Sequence, residues 1–137
     1  FKNNGMISSE YTCDGEDVSP ELIIESAPKN AKSLALIADD PDAPVGTWVH
    51  WVVWNIPVNT KTIPKGEKAG VEGINDFRRT GYGGPCPPSG THRYYFKLYA
   101  LDTELELSKS ATKKELEKAM QGHIIEKAEL IGKYSRA

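Results

Sequence analysis

The chain has 137 residues, 39% hydrophobic and 26% charged, with a formal net charge of −2. That length fits one domain, spanning residues 1–137, with a core of its own. The charge balance excludes a nucleic-acid binder built on a basic patch, and no apolar run approaches the ~20 residues that span a bilayer.

Twelve Gly and nine Pro point to a loop-rich β architecture. No signal-peptide pattern is present, so the expected location is cytoplasmic. Phe1 stands at the start instead of methionine, which leaves a trimmed or processed chain open.

Tyr11 to Asp17 reads as a strand end running into a turn marked by Asp14-Gly15. Leu22 to Glu25 reads as a short strand, and Pro28-Lys29-Asn30 as a loop. Ser33 to Ala38 is an apolar run of strand length that stops at an acidic, proline-punctuated loop, Asp39-Asp40-Pro41-Asp42-Ala43-Pro44. Trp48 to Ile56 is rich in Val and Trp and predicts a strand ending at Pro57. Strict alternation puts Trp48, His50, Val52 and Trp54 on one face and Val49, Trp51 and Val53 on the other. Both faces are mostly apolar, so this strand is central and covered on both sides.

Residues 57 to 80 are polar and read as a long irregular connection. His92 to Leu101 predicts another strand, with His92, Tyr94, Phe96 and Leu98 on one face. Thr112-Lys113-Lys114-Glu115 is a capping-box pattern, followed by Leu116, Ala119 and Met120 at helical spacing. Gly122 ends that helix. His123 to Ala128 reads as a second short helix, with His123 at the surface. Glu129 to Tyr134 reads as a last strand.

Two stretches couple a stiff polar loop to a strand carrying a histidine at or near its start. One is the acidic loop before Trp48-Val49-His50-Trp51. The other is Gly83-Gly84-Pro85-Cys86-Pro87-Pro88-Ser89-Gly90-Thr91 before His92-Arg93-Tyr94. Carboxylates, two histidines and aromatic rings thus gather where strands meet rigid loops, which is how a small β-protein builds a polar pocket. A carboxylate beside a histidine fixes its tautomer and favours the charged ring. A glycine- and proline-rich loop can aim backbone N–H groups at an anion. It also serves as a simple stiff connection.

Other chemistries find less support. His50, His92, an aspartate and Cys86 could meet at a zinc ion, yet no short-spaced ligand pair is present. No Gly-x-Ser-x-Gly elbow occurs, and Ser89 has no base beside it. Cys13 and Cys86 read as two reduced thiols in a cytosolic protein. A bridge between them stays open; it would contribute roughly 4 kcal/mol in the chain-entropy description.

The Asp-Pro-Asp-Ala-Pro loop, Trp48-Val49-His50-Trp51 and Gly84-Pro85 through Gly90-Thr91-His92-Arg93-Tyr94 together resemble the phosphatidylethanolamine-binding protein family. That family includes the Raf kinase inhibitor protein. The Tyr11 to Gly15 start and the Ala128 to Tyr134 end resemble its compact bacterial and archaeal branch. The resemblance implies a mainly β fold of two antiparallel sheets with Greek-key connections and peripheral helices. It also implies a small anion-binding pocket, with Asp40 as pocket carboxylate and Asp42 in support. His50 and His92 are then the pocket histidines, Tyr94 the pocket tyrosine, and Trp48 and Pro85 the rim. Cys86 stands where many eukaryotic members carry a second proline, so the rim is expected to differ in shape.

The expected function is non-enzymatic and regulatory. The ligand is a small phosphate- or carboxylate-bearing molecule, or a phosphorylated group on a partner. No cofactor, metal, nucleic acid or stable membrane insertion is expected. Two alternatives are a kinase or serine protease inhibitor acting through surface loops, and a hydrolase or lyase using the His/Asp cluster.

Overall fold

In the computed structural model, residues 1–136 are described. In chain order the elements are β1 (Gly5–Met6), a 3-10 turn (Ser9–Tyr11), β2 (Leu22–Ile23), β3 (Ser33–Asp40) and β4 (Trp48–Ile56). They continue with β5 (Thr62–Ile63), β6 (Val71–Glu72), β7 (His92–Leu101), α1 (Lys113–Met120) and β8 (Ile124–Tyr134). One sheet has the order β1-β8-β7-β3-β4-β6, and a second, small sheet pairs β2 with β5 antiparallel.

The main sheet is mixed, because β1 runs parallel to β8 while its other neighbours are antiparallel. Within it, β3, β4 and β6 follow one another and β7 returns beside β3. That 4-1-2-3 spatial order is a Greek key. The expectation of a two-sheet, mainly β fold therefore holds, with the larger sheet mixed and one α-helix among the described residues.

The long strands are sequences that two packed layers can bury. Every residue of β3 is buried, and β4 is buried except at Trp48 and Asn55. Leu34, Leu36, Trp51, Val53 and Phe96 pack with Leu22, Ile24 and Ile63, which places the small sheet over one face. Ile37, Val52, Trp54, Tyr99 and Leu101 pack with Leu116 and Met120 of α1 on the other face. The capping box is present in full: the Thr112 side chain accepts from the Glu115 N–H, and Glu115 reaches back to the Thr112 N–H. Leu116 and Met120, one turn apart, form the buried stripe.

Several sequence expectations change. Tyr11 is not a strand end but closes a 3-10 turn, held locally by the Thr12 hydroxyl donating to the Ser9 carbonyl at 2.8 Å. Strand β3 runs on through Asp39 and Asp40, so these carboxylates stand on the strand itself, on alternate faces. The 57–80 connection contains β5 and β6. His123 to Ala128 is not helical. Gly122 takes a positive φ of 81°, and β8 starts at Ile124 and pairs along β7 from Leu101↔Ile124 to His92↔Tyr134. Ladder pairing with a long neighbour outweighs the helical propensity of Glu126, Lys127 and Ala128. His123 is at the surface as expected, its Nδ1–H donating to Asp102 at 2.7 Å.

The cysteines are not free thiols. Cys13 and Cys86, 73 residues apart, form a disulfide with a Cα–Cα distance of 5.4 Å. The reason is local docking that spacing could not reveal: the Cys13 N–H donates to the Pro85 carbonyl at 3.1 Å.

Candidate functional site

A cleft of about 260 Å³ opens at the ends of β3, β4 and β7. Its polar lining is Asp40, His50, His92 and Tyr94. Ala43, Pro44 and Val45 of the β3–β4 loop form one wall, and Cys86, Pro87 and Pro88 form another. Trp48 and Phe77 complete it, their rings meeting edge to face at 5.5 Å.

His50 reaches this cleft through a β-bulge. Ala38 pairs with Trp51 and Asp39 with Val49, so His50 is an extra residue on β4. Uninterrupted alternation would put its ring on the same face as Val52 and Trp54, which belong to the helix-side core. The bulge turns it to the opposite face, where it meets Tyr94 edge to face at 5.3 Å and Phe77 at 5.4 Å. On β7, plain alternation already brings His92 and Tyr94 to one face, their rings stacked with centroids 6.4 Å apart.

The two histidines are held differently. His92 Nδ1 lies 2.7 Å from Asp40 Oδ2. His50 Nδ1 lies 2.7 Å from the Gly83 carbonyl oxygen. Carboxylate and carbonyl oxygens only accept, so both rings carry a proton on Nδ1 and leave Nε2 free of these bonds. Burial pulls the His50 pKa below the ordinary histidine value, against the Gly83 bond and the nearby Asp40 charge. Burial thus favours the neutral form of this ring.

Tyr94 has the opposite character. Burial, then the Asp40 charge, pushes its phenol well above the usual tyrosine value, so it keeps its proton. Its hydroxyl is buried and has no hydrogen-bond partner among the described residues.

Asp40, Trp48, His50, His92 and Tyr94 thus come together as the sequence suggested. Asp42 and Pro85 do not line the cleft. Asp42 grips Arg93, accepting from Nε at 2.8 Å and from Nη2 at 2.7 Å, and this holds its carboxyl down at about 2. It ties the acidic loop to β7. Pro85 is buried, and its carbonyl receives the Cys13 N–H. The rim prolines are Pro87 and Pro88 instead.

Phe77 was missed because residues 57–80 read as featureless. The signal was Asn75-Asp76. Asn75 is buried and its side-chain oxygen accepts from the Phe77 and Arg79 N–H groups. Asp76 exchanges bonds with Val49 of β4, its Oδ2 accepting at 2.7 Å and its N–H donating at 2.9 Å. This turn aims Phe77 at the histidines.

The glycines of the second loop allow close packing. A Cβ on Gly83 would run into the Phe77 ring, and one on Gly84 into the Tyr11 carbonyl and Asp17. Gly84 N–H donates to Asp17 at 2.8 Å.

A second cleft lies on the opposite face, where Asp39 bonds Lys97 at 3.0 Å and Lys113 at 2.9 Å. Its other cations also have partners: Arg93 with Asp42, and Lys127 with Glu129 at 3.1 Å. Among the described residues no cluster of three or more His, Cys, Asp or Glu side chains is placed to hold a metal ion. No described helix is long and apolar enough to cross a membrane.

Comparison with known proteins places this geometry in a family. The model of the phosphatidylethanolamine-binding protein family matches residues 1–135. A UPF0098 protein of Pyrococcus horikoshii is 53% identical over 99% of this chain and 74% of its own length. One from Aquifex aeolicus is 50% identical over 99% of this chain and 85% of its own. The crystal structure of a phosphatidylethanolamine-binding protein homologue from Chlamydia trachomatis superposes with a TM-score of 0.97 at 41% identity, covering 100% of this chain and 94% of that one. Escherichia coli YbcL, described as a member of the mammalian family, gives 0.91 at 30% identity, covering 99% and 94%. The chain belongs to the phosphatidylethanolamine-binding protein family.

Proposed function

We propose that this protein binds, without turning it over, a small group bearing anionic oxygens, either free or carried by a partner protein, in a regulatory role. The observation that carries the reading is the Tyr94 hydroxyl, a buried and protonated donor without a partner, set between two oriented histidines. Leaving such a group unbonded costs about 1–3 kcal/mol, which a ligand oxygen recovers. His92, backed by the Asp40 carboxylate, adds a charge-assisted bond. Apolar walls around this polar floor lower the local dielectric, which strengthens both contacts.

Binding is favoured over catalysis because no serine, threonine or free thiol is among the described residues that line the cleft. Cys86 is spent in a disulfide and the Asp40 carboxylate is occupied by His92. We also propose a cytoplasmic location; since a reducing cytosol would open the Cys13–Cys86 bond, an intact disulfide in freshly lysed cells would contradict it.

The test is an NMR titration of the histidine ring signals with inorganic phosphate and O-phosphoethanolamine. Saturable shifts at His50 and His92 but not at His123, abolished in His50→Ala, are expected. No shift at millimolar ligand would refute the reading.

A further inference from the structure

One wall of the cleft, Cys86, Pro87 and Pro88, belongs to a stretch with few anchors. Hydrogen bonds pin the chain up to Pro85. The Gly83 N–H donates to the His50 carbonyl at 2.9 Å, the Gly84 N–H to Asp17 at 2.8 Å, and the Pro85 carbonyl accepts from the Cys13 N–H at 3.1 Å. The chain is pinned again from His92, where β7 pairs with β8. Between these points, residues 86–91 make no hydrogen bond among the described residues. Pro87 and Pro88 have no N–H to offer. Of the six residues only Pro87 is buried. The Cys13–Cys86 disulfide is thus the one bond that ties this stretch to the rest of the described fold.

Both cysteines are exposed, so the bridge is accessible to thiols in solution. The turn carrying Cys13 stays in place without it. The Thr12 hydroxyl donates to the Ser9 carbonyl at 2.8 Å, the Tyr82 hydroxyl to the Tyr11 carbonyl at 2.7 Å, and the Tyr134 hydroxyl to Asp14 at 2.6 Å. Opening the bridge therefore releases one wall of the cleft and leaves its floor of Asp40, His50, His92 and Tyr94 standing.

We infer that the Cys13–Cys86 bond is a thiol-exchange site that controls the cleft: closed, it sets the proline wall for binding, and opened by a dithiol, it frees the wall and weakens binding. This rests on the anion-binding reading above and adds a control to it. A thiolate of the dithiol attacks one bridge sulfur, the S–S bond breaks, and a mixed disulfide forms. The second thiol then closes the reductant's own disulfide and expels the remaining protein thiolate. Two electrons and two protons pass to Cys13 and Cys86. The reverse exchange, with a disulfide as oxidant, restores the wall. A ligand entering the open form must order the wall as it binds, which subtracts from its affinity. Fixing the backbone of one residue is worth about tenfold.

The test measures O-phosphoethanolamine affinity by calorimetry on the oxidised protein, on protein reduced with dithiothreitol, and on Cys13→Ser. Thiol titration verifies each state. Cys13 does not line the cleft, so its variant reports the tether and not a lost contact. Affinity should fall about tenfold in the reduced protein and in Cys13→Ser, and return in the wild type when the bridge re-forms. In 15N relaxation, the Cys86, Ser89, Gly90 and Thr91 amides should gain motion on reduction while those of His50 and His92 stay rigid. Equal affinity in the two redox states would overturn the inference and leave the anion site standing. So would a segment 86–91 as ordered after reduction as before, or a reduction that melts the whole fold. If the oxidised protein does not bind O-phosphoethanolamine, the anion-binding reading falls and this control with it.

Discussion

His50 and Gly83 are joined twice: the Gly83 N–H donates to the His50 carbonyl at 2.9 Å, and the His50 ring donates Nδ1–H to the Gly83 carbonyl at 2.7 Å. A bulge on a central strand and a glycine loop thereby fix one imidazole in a single tautomer. Gly83 cannot be enlarged freely, since a Cβ there meets the Phe77 ring. Gly83→Ala should destabilise the fold by about 1–3 kcal/mol through overpacking. It should also weaken anion binding, because Phe77 shares the cleft wall. Urea denaturation and a phosphate titration on the same variant check both.

Tyr94 separates stability from binding. Its hydroxyl is buried without a partner, so removing it relieves a desolvation cost. Tyr94→Phe should leave the unliganded protein as stable as wild type, or more stable by up to ~1 kcal/mol, while anion affinity drops about tenfold. Thermal melts with and without phosphate give both quantities. A destabilised variant with full affinity would be the opposite result.

Asp40 carries two loads. Its Oδ2 accepts from His92, and its Oδ1 accepts from the Asp42 N–H at 2.7 Å. Both partners of the His92–Asp40 bond are nearly inaccessible, with side-chain exposures of 9% and 4%. Asp40→Ala should therefore cost about 3 kcal/mol and free the His92 ring. Denaturant midpoints measure the first effect. Loss of a slowly exchanging His92 Nδ1 proton in NMR measures the second.

Burial lowers the His50 pKa below its ordinary value of 6.5, so on acidification the unfolded chain takes up the proton first. The stability contributed by this neutral ring is present above pH 6.5 and lost as pH falls through the folded-state value. Folding stability measured against pH should fall less steeply below pH 6.5 in His50→Gln than in wild type. Asp42 acts lower on the scale. Its contribution is present above the ordinary 3.8 and lost as pH drops toward about 2, where Arg93 ceases to hold it charged.

The Cys13–Cys86 bond ties the loop carrying Pro87 and Pro88 to the N-terminal turn. Opening it should lower stability by roughly 4 kcal/mol, given the length of chain it closes. Differential scanning calorimetry with and without reductant, and on the Cys13→Ser/Cys86→Ser double variant, should show the same loss.

Where the sequence was informative, one local pattern dominated. The boundaries of β4 and the start of β7 follow from Val, Trp and aromatic runs set off by prolines and glycines, and the capping box marks the start of α1. Motif resemblance supplied the cleft residues Asp40, Trp48, His50, His92 and Tyr94. What escaped was non-local. The bulge at His50 depends on the register of β3 against β4, so strict alternation put the ring on the wrong face. The first half of β8 depends on its pairing with β7. The disulfide depends on two loops 73 residues apart, and Phe77 on an Asn75 turn whose weight lies in bonds to the backbone around it.

The central claim is that an anion binds among His50, His92 and Tyr94. The most direct measurement is a crystal structure with O-phosphoethanolamine. The account predicts the phosphate within hydrogen-bond distance of Tyr94 Oη and of Nε2 on both histidines. A phosphate seated instead with Lys97 and Lys113 at the opposite cleft, with the Tyr94 hydroxyl still unbonded, would contradict it.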